Sequence, residues 1–487
     1  MSATIQLPVW LVVIASLLAA FALLDRFLVP SWRWFLRNRA NQVLDEVGAR
    51  LRIQVRPFQK TNRQALIDRL IFDERVQEAV FAHAEAAKIP REVALDEARR
   101  YAREIVPAFN AYLYFRIGYW IGKRVSRALY RVRIGYTDEA GLAKIPANAT
   151  VVFVMNHRSN MDYIIAAYLA ADEAALSYAV GEWARIWPVQ QIVRSMGAYF
   201  VRRNSKDELY RRVLERYIAM ATEAGVTQAV YPEGGLSRDG RMREPKFGVI
   251  DYMLRGFYPQ GERDLVFVQL GLNYDRVLED RTLLLGVEQS EIKPGGTKPG
   301  AAKPGAVKAI ATTFAFAGTQ LWLALRSRWH RFGYACVNFG TPISVREYVA
   351  ARGIDFRTLS REDRLREVAA LGRSLMDAVG KLVPVLPVPL VATVLLDAGA
   401  ASLSELELKS RVGALVSRLE AAGARLYVPR GDWDYAVSAG LRMLTMRHLV
   451  EETEGLFTAN ATETPLLRYY ANSIAHLVAV TPAVTPR

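Results

Sequence analysis

His157 and Asp162 stand five residues apart in the run Asn156-His-Arg-Ser-Asn-Met-Asp162. An imidazole held at one nitrogen by a carboxylate can act at its other nitrogen as a general base for a hydroxyl, and that is the chemistry this pair could do. The run follows the apolar stretch Thr150–Met155, which reads as a buried strand. A histidine at the end of such a strand opens toward a cleft, where α/β folds hold their ligands. On a straight helix a spacing of five leaves the two side chains about 140° apart, so the backbone has to turn before the carboxylate can reach the ring. Alone the pair is a weak signal, because five histidines and a common partner residue produce such a spacing by chance.

Two further runs add weight. Gly197-Ala-Tyr-Phe-Val-Arg-Arg203 ends an apolar stretch on two adjacent guanidinium groups, Arg202 and Arg203, of the kind that bind phosphate through two parallel hydrogen bonds. Tyr231-Pro-Glu-Gly-Gly-Leu-Ser-Arg-Asp-Gly-Arg241 offers Glu233, Ser237, Arg238 and Arg241 around Gly234, in a turn where backbone can approach a ligand closely. Each has a plain structural reading as well: arginines are mostly solvated, and a Glu-Gly-Gly run is mostly a turn.

These residues need elements to position them. Residues 40–130 read as helical and rich in Ala, Arg and Glu. Residues 131–345 change to short apolar runs separated by helices, with strands expected at Thr150–Met155, 198–201, 228–231, 265–272 and 335–339 and a helix over 205–224. Continuously apolar runs of this kind suit strands covered on both faces, and an α/β fold is expected: a mixed β-sheet flanked by helices. Residues 355–487 read as mostly helical. The apolar run 382–396 is too short and too interrupted by Pro384, Pro387 and Pro389 to span a membrane, and Ser404 with Glu407 forms a capping box for the next helix. Lys-Pro-Gly occurs three times between 293 and 308, a basic loop without a core, followed by an aromatic and basic stretch over 312–331.

The chain has 487 residues, enough for two or three domains, and 64 Lys+Arg against 49 Asp+Glu, a net charge of +15 that favours anionic partners. Cys336 is the only cysteine, which excludes an intrachain disulfide and any cysteine-based zinc site, and no pair of histidines has metal-ligand spacing. No metal or cofactor is expected. The basic residues are dispersed and no nucleic-acid motif or GxxxxGK[ST] loop is present, so no nucleic-acid partner is expected. Residues 7–24 carry no charge, and at roughly 1.5 Å each span about 27 Å, enough for a hydrocarbon core. A transmembrane helix is therefore expected over 7–28. Arg26, Arg33, Arg37 and Arg39 follow it, which puts the remainder on the cytoplasmic side. Aromatic and basic residues interleaved near 112–127 suit either a membrane interface or a core-facing stripe.

Taken together, the runs resemble the glycerolipid acyltransferase family, whose motifs appear here in order: His157/Asp162, Gly197/Phe200/Arg202/Arg203, Glu233/Gly234/Ser237/Arg238 and the apolar strand 266–274. The wording of the first and third is most similar to the bacterial PlsB-type glycerol-3-phosphate enzymes and their dihydroxyacetone-phosphate relatives. Asp73-Glu-Arg-Val-Gln-Glu-Ala-Val80 and Leu466-Leu-Arg-Tyr-Tyr-Ala-Asn-Ser-Ile-Ala-His476 extend the resemblance to roughly residues 60–480. The chain departs from the pattern at Gln269, where a proline is common, in being much shorter than a typical member, and in its Lys-Pro-Gly loop.

The resemblance implies acyl transfer from acyl-CoA or acyl-carrier protein to the sn-1 hydroxyl of glycerol 3-phosphate, without a covalent acyl-enzyme. His157 and Asp162 would form the base, with Glu233 at the catalytic centre, and Arg202, Arg203, Gly234, Ser237 and Arg238 would bind substrate. A bacterial inner-membrane location with lipid contact follows. Dihydroxyacetone phosphate and lysophosphatidate are the alternative acceptors. A serine hydrolase built on Ser237 fails the Gly-x-Ser-x-Gly elbow at Asp239. A membrane-tethered protein that binds anionic lipid or nucleic acid is the non-enzymatic alternative.

Overall fold

The computed structural model describes residues 56–480 apart from 112, 171–175, 182–188, 203–204 and 285–331. The expected transmembrane helix, Arg203, the Lys-Pro-Gly loop and the aromatic stretch 312–331 lie outside the described residues. Among the described residues no helix is long and apolar enough to cross a membrane.

The main sheet is built from β1 (Arg131–Thr137), β2 (Thr150–Met155), β3 (Ser177–Val180), β4 (Tyr199–Phe200), β5 (Gln228–Val230), β6 (Leu265–Tyr274), β7 (Tyr334–Phe339) and β8 (Ile343–Ser344). Their order is β1-β7-β6-β2-β5-β3-β4, with β8 also on β6. The five strands β6, β2, β5, β3 and β4 run parallel to one another. β7 is antiparallel to β6 and parallel to β1. This is the mixed sheet expected from the sequence. β2 has the expected bounds, and β4, β5, β6 and β7 fall within two residues of theirs at either end. β1 was not expected: it mixes Arg131 and Arg133 with apolar residues and is only partly buried, as an edge strand can be. β3 has only four residues, too few for a periodicity to show.

Helices cover both faces. All ten residues of β6 are buried, and its side chains alternate between two cores with the period of a strand. Leu265 and Phe267, with Val152 and Val154 of β2, face a core shared with α1 (Arg63–Ile71), α2 (Glu74–Ala87), α3 (Arg91–Ile105), α5 (Glu208–Glu223) and α6 (Arg361–Leu382). Val266, Val268, Leu270 and Leu272 face the other core, shared with α4 (Met161–Ala170), α7 (Pro387–Ala398) and α8 (Thr464–Asn472). In α5 Leu209, Tyr210, Val213, Leu214, Tyr217 and Ile218 recur at helical spacing, and Asp207 caps it by accepting from the Tyr210 amide. α7 is the apolar run read as too short for a membrane. Pro387 and Pro389 sit in its first turn, where proline is tolerated, and Pro387 through Leu395 are buried. Ser404 caps the helix that follows by accepting from Glu407 at 3.2 Å, as the capping box requires.

One close approach sets how far β6 can slide against its cover. The backbone of Gly271 lies against the last turn of α6, where a Cβ would sit 2.3 Å from the Leu382 carbonyl. The same carbonyl accepts from the Asn338 side chain at 2.7 Å, which satisfies a helix-end oxygen from β7. Gly271→Ala should therefore lower stability by about 3 kcal/mol, the upper range for overpacking a core, because both opposing groups are backbone. A denaturation midpoint equal to that of the parent would show that α6 and β6 can separate freely.

Candidate active site

The parallel strands place the ends of β2, β4, β5 and β6 on one edge of the sheet, the edge where α/β folds gather ligand groups. Asn156, the first residue past β2, extends the pairing through its side chain: it donates to the Leu272 carbonyl at 2.9 Å and accepts from the Leu272 amide at 2.8 Å. His157 comes next. Its amide donates to Glu233 Oε1 at 2.9 Å, and its carbonyl accepts from the Ser237 amide at 2.9 Å. Both backbone groups of the histidine are thus held by the loop after β5.

The turn that the spacing demands is wrapped around Asp162. Its Oδ2 accepts from the amides of Arg158 at 2.7 Å and Ser159 at 3.0 Å, and from His157 Nδ1 at 2.9 Å. Its Oδ1 accepts from Tyr274 Oη at the end of β6. Asp162 is 0% exposed and His157 4% exposed. Since the carboxylate takes the hydrogen of Nδ1, the lone pair of the neutral ring is on Nε2, the atom a general base needs free. Nε2 faces Tyr163 Oη at 3.3 Å, and the Tyr231 ring packs against the imidazole at 4.4 Å between centroids.

The loop after β5 shapes this centre more than it joins it. Glu233 is buried, and its second oxygen accepts from the Arg243 amide at 2.9 Å, so both oxygens are spent on backbone. Burial pushes its carboxyl up from the usual range, against those two amides. Glu233 thus stands at the centre as expected from its motif, and in this arrangement it braces the backbone of His157. Ser237 is engaged in the same way: its hydroxyl donates to the Arg241 carbonyl at 2.6 Å, and the side chain is buried. Gly234 has φ +64°, a backbone conformation that glycine adopts without cost, and its amide closes the turn on the Tyr231 carbonyl. Arg238 stands exposed on this loop, with Arg241 and Arg243.

Arg202 follows β4 on the same edge but is already engaged. Its guanidinium pairs with both oxygens of Glu104, at 2.9 and 2.7 Å, between the rings of Tyr101 and Tyr210. The hydrogen bonds to Glu104 raise its pKa above the ordinary arginine value. The fork expected to bind phosphate is filled by a carboxylate of α3. Arg203 lies outside the described residues.

Several supporting residues went unread in the sequence. The Arg158 guanidinium is buried and donates to the carbonyls of Gly240 and Ser473. Asn472 donates to the Asp239 carbonyl at 2.8 Å. A Cβ on Gly240, whose φ is +89°, would fall 1.9 Å from the Tyr469 carbonyl oxygen. The segment 466–476 is therefore a wall against which the loop after β5 rests. Glu279 accepts from Ser159 Oγ at 2.8 Å and from the Asn160 amide at 3.2 Å, and burial pushes its carboxyl up to about 7. Arg158 could have been suspected from its place inside the motif, whereas no local pattern marks Glu279. Among the described residues no cluster of three His, Cys, Asp or Glu side chains could hold a metal ion.

Residues 138–261 match the acyltransferase family, and residues 319–485 match the glycerol-3-phosphate acyltransferase C-terminal region. Proteins named glycerol-3-phosphate acyltransferase from Pseudomonas savastanoi pv. phaseolicola and Pseudomonas fluorescens Pf-5 are 26% and 28% identical to this chain, over 86% of it and 49% of their own length. The one from Alteromonas mediterranea is 25% identical over 86% of this chain and 50% of its own. The chain thus spans about half the length of the curated relatives it matches. The solved structure of a 1-acyl-sn-glycerophosphate acyltransferase, PlsC from Thermotoga maritima, covers 65% of this chain and 97% of its own at 15% identity and a TM-score of 0.30, too loose a likeness to bear on the argument. The sheet edge and its His-Asp pair thus belong to an acyltransferase domain. The region that buttresses it matches the glycerol-3-phosphate acyltransferase C-terminal region, and the relatives that align with the chain are named glycerol-3-phosphate acyltransferase.

The buried Glu279 makes stability depend on pH. Folded, it holds its proton up to about pH 7, while the ordinary value is 4.5. Unfolding between those values releases a proton, so its contribution to stability falls as pH rises through that window. The full effect is on the order of 3 kcal/mol, from about 1.36 kcal/mol per pKa unit. Glu279→Gln should flatten the decline in unfolding free energy between pH 4.5 and 7, measured by urea titration. A decline as steep as the parent's would assign the pH dependence to other groups.

Proposed function

We propose that this protein is a glycerol-3-phosphate 1-O-acyltransferase, using acyl-CoA or acyl-carrier protein as donor and forming lysophosphatidate. The observation that carries this reading is the buried His157–Asp162 pair at the sheet edge, with Nε2 turned away from the carboxylate, in a chain that matches both the acyltransferase family and the glycerol-3-phosphate acyltransferase C-terminal region. Nε2 takes the proton of the acceptor hydroxyl as its oxygen attacks the thioester carbonyl, and Asp162 stabilises the imidazolium that results. The carbon–sulfur bond then breaks and the thiolate recovers the proton, so no covalent acyl-enzyme is needed.

Arg238, exposed beside the site, is the described residue best suited to the acceptor phosphate, with Arg203 as its expected companion. Both donors are anionic, which suits the net charge of +15. The single span expected at residues 7–28 would hold the catalytic domain at the cytoplasmic face of a bacterial inner membrane, where the product enters the leaflet. The chemistry itself calls for no cofactor.

The test is acyl transfer by detergent-solubilised protein, offered radiolabelled glycerol 3-phosphate with palmitoyl-CoA or palmitoyl-carrier protein. Lysophosphatidate is the expected product, and His157→Ala should lower kcat by about 1,000-fold, within the range for a general base. Absence of product with either donor would move the assignment to dihydroxyacetone phosphate or lysophosphatidate as acceptor, which competition in the same assay identifies. Arg238→Ala should raise KM for glycerol 3-phosphate about tenfold with little change in kcat, as loss of a charged hydrogen bond predicts. An unchanged KM would remove Arg238 from the phosphate site.

A further inference from the structure

The acyltransferase reading leaves one neighbour of the base without a task. Tyr163 follows Asp162 on the first turn of α4, and its hydroxyl stands 3.3 Å from His157 Nε2. Nε2 carries the lone pair, because Asp162 takes the hydrogen of Nδ1, so the phenol donates to it. That lone pair is the one an acceptor hydroxyl must reach. The Tyr163 oxygen therefore marks the place of the acceptor oxygen, and the two cannot hold the same lone pair together.

The phenol has somewhere to turn. Its oxygen is also 3.5 Å from the Ala179 carbonyl on β3, a longer and weaker contact. An acceptor oxygen at hydrogen-bond distance from Nε2 must lie about 3 Å from the thioester carbon it attacks. The displaced phenol then stands within reach of the carbonyl oxygen on which charge builds. A second phenol adjoins it: the Tyr231 ring meets Tyr163 at 4.7 Å, and its buried hydroxyl has no hydrogen-bond partner among the described residues. A buried unpaired hydroxyl costs free energy, and a polar ligand group arriving at this place would recover it.

We propose that Tyr163 is a catalytic residue, whose hydroxyl caps Nε2 in the resting protein, yields to the acceptor hydroxyl, and donates to the thioester oxyanion. In the step, the acceptor oxygen bonds to the carbonyl carbon, its proton passes to Nε2, and the carbonyl electron pair moves onto the oxygen that Tyr163 faces. When that pair returns, the carbon–sulfur bond breaks and the thiolate takes the proton from Nε2. Tyr163 keeps its own proton throughout. The proposal rests on the acyltransferase reading for the oxyanion, and on geometry alone for the cap.

Tyr163→Phe separates the hydroxyl from the ring, because phenylalanine keeps the packing against Tyr178 at 4.9 Å, Tyr231 at 4.7 Å and His157 at 5.2 Å. A structural role would survive this change. We expect kcat to fall about 100-fold with KM for the acceptor within threefold, the loss typical of one oxyanion donor. Carbethoxylation of His157 by diethyl pyrocarbonate, followed by peptide mass mapping in the full chain, should proceed severalfold faster in the variant while the other histidines react as before. An undiminished kcat overturns the catalytic role, and an unaltered carbethoxylation rate overturns the cap. If the parent protein acylates no glycerophosphate, the acyltransferase reading fails, while the carbethoxylation arm still decides the contact.

Discussion

A single buried carboxylate organises the centre of this molecule. Asp162 has no solvent to stabilise its charge, so its four hydrogen-bond donors must come from the protein: two amides of its own turn, the ring of His157, and Tyr274 of β6. A buried carboxylate is tolerated only with such compensation, which makes the arrangement of those donors a condition of folding as well as of chemistry. The sheet brings Tyr274 beside the end of β2, and the turn supplies the rest. The imidazole is oriented as a result, since the same oxygen that collects the amides also receives Nδ1.

Around this centre stands a second ring of polar groups that act on backbone. Glu233 and Ser237 hold both backbone groups of His157, Arg158 ties the turn to Gly240 and Ser473, and Glu279 holds Ser159 and Asn160. Each is buried and spends its hydrogen bonds on fixed partners, so the network has little freedom to adjust. This gives the C-terminal region a physical purpose. Residues 466–476 form the support against which the loop after β5 is set, and they share a core with the sheet. A catalytic domain without that wall would leave the buried guanidinium of Arg158 short of a partner.

The arginines show how context decides the fate of a charge. Arg202 sits on the correct sheet edge, yet Glu104 on α3 occupies both arms of its fork and two tyrosine rings enclose it. Its position ties the N-terminal helices to the end of β4. Arg238, in the loop after β5, remains exposed. Equivalent side chains a few tens of residues apart thus serve cohesion in one case and stand available to an anion in the other.

Much of the fold was legible from local pattern. Continuous apolar runs marked β2, β4, β5, β6 and β7, helical periodicity marked α5, and Ser404 with Glu407 marked a cap, because each depends on neighbours within a few residues. The edge strand β1 and the four-residue β3 escaped, one for lack of burial and the other for lack of length. At the site, the His157–Asp162 pair was legible because both residues lie in one turn. The sequence by itself determined the histidine, its orienting carboxylate and the glycine turn beside them. Only the tertiary structure decided that Glu233 and Ser237 brace the histidine, that Arg202 belongs to Glu104, and that Tyr274, Glu279 and Ser473 complete the surroundings. Those assignments rest on contacts between residues 76 to 315 positions apart, which no local pattern encodes.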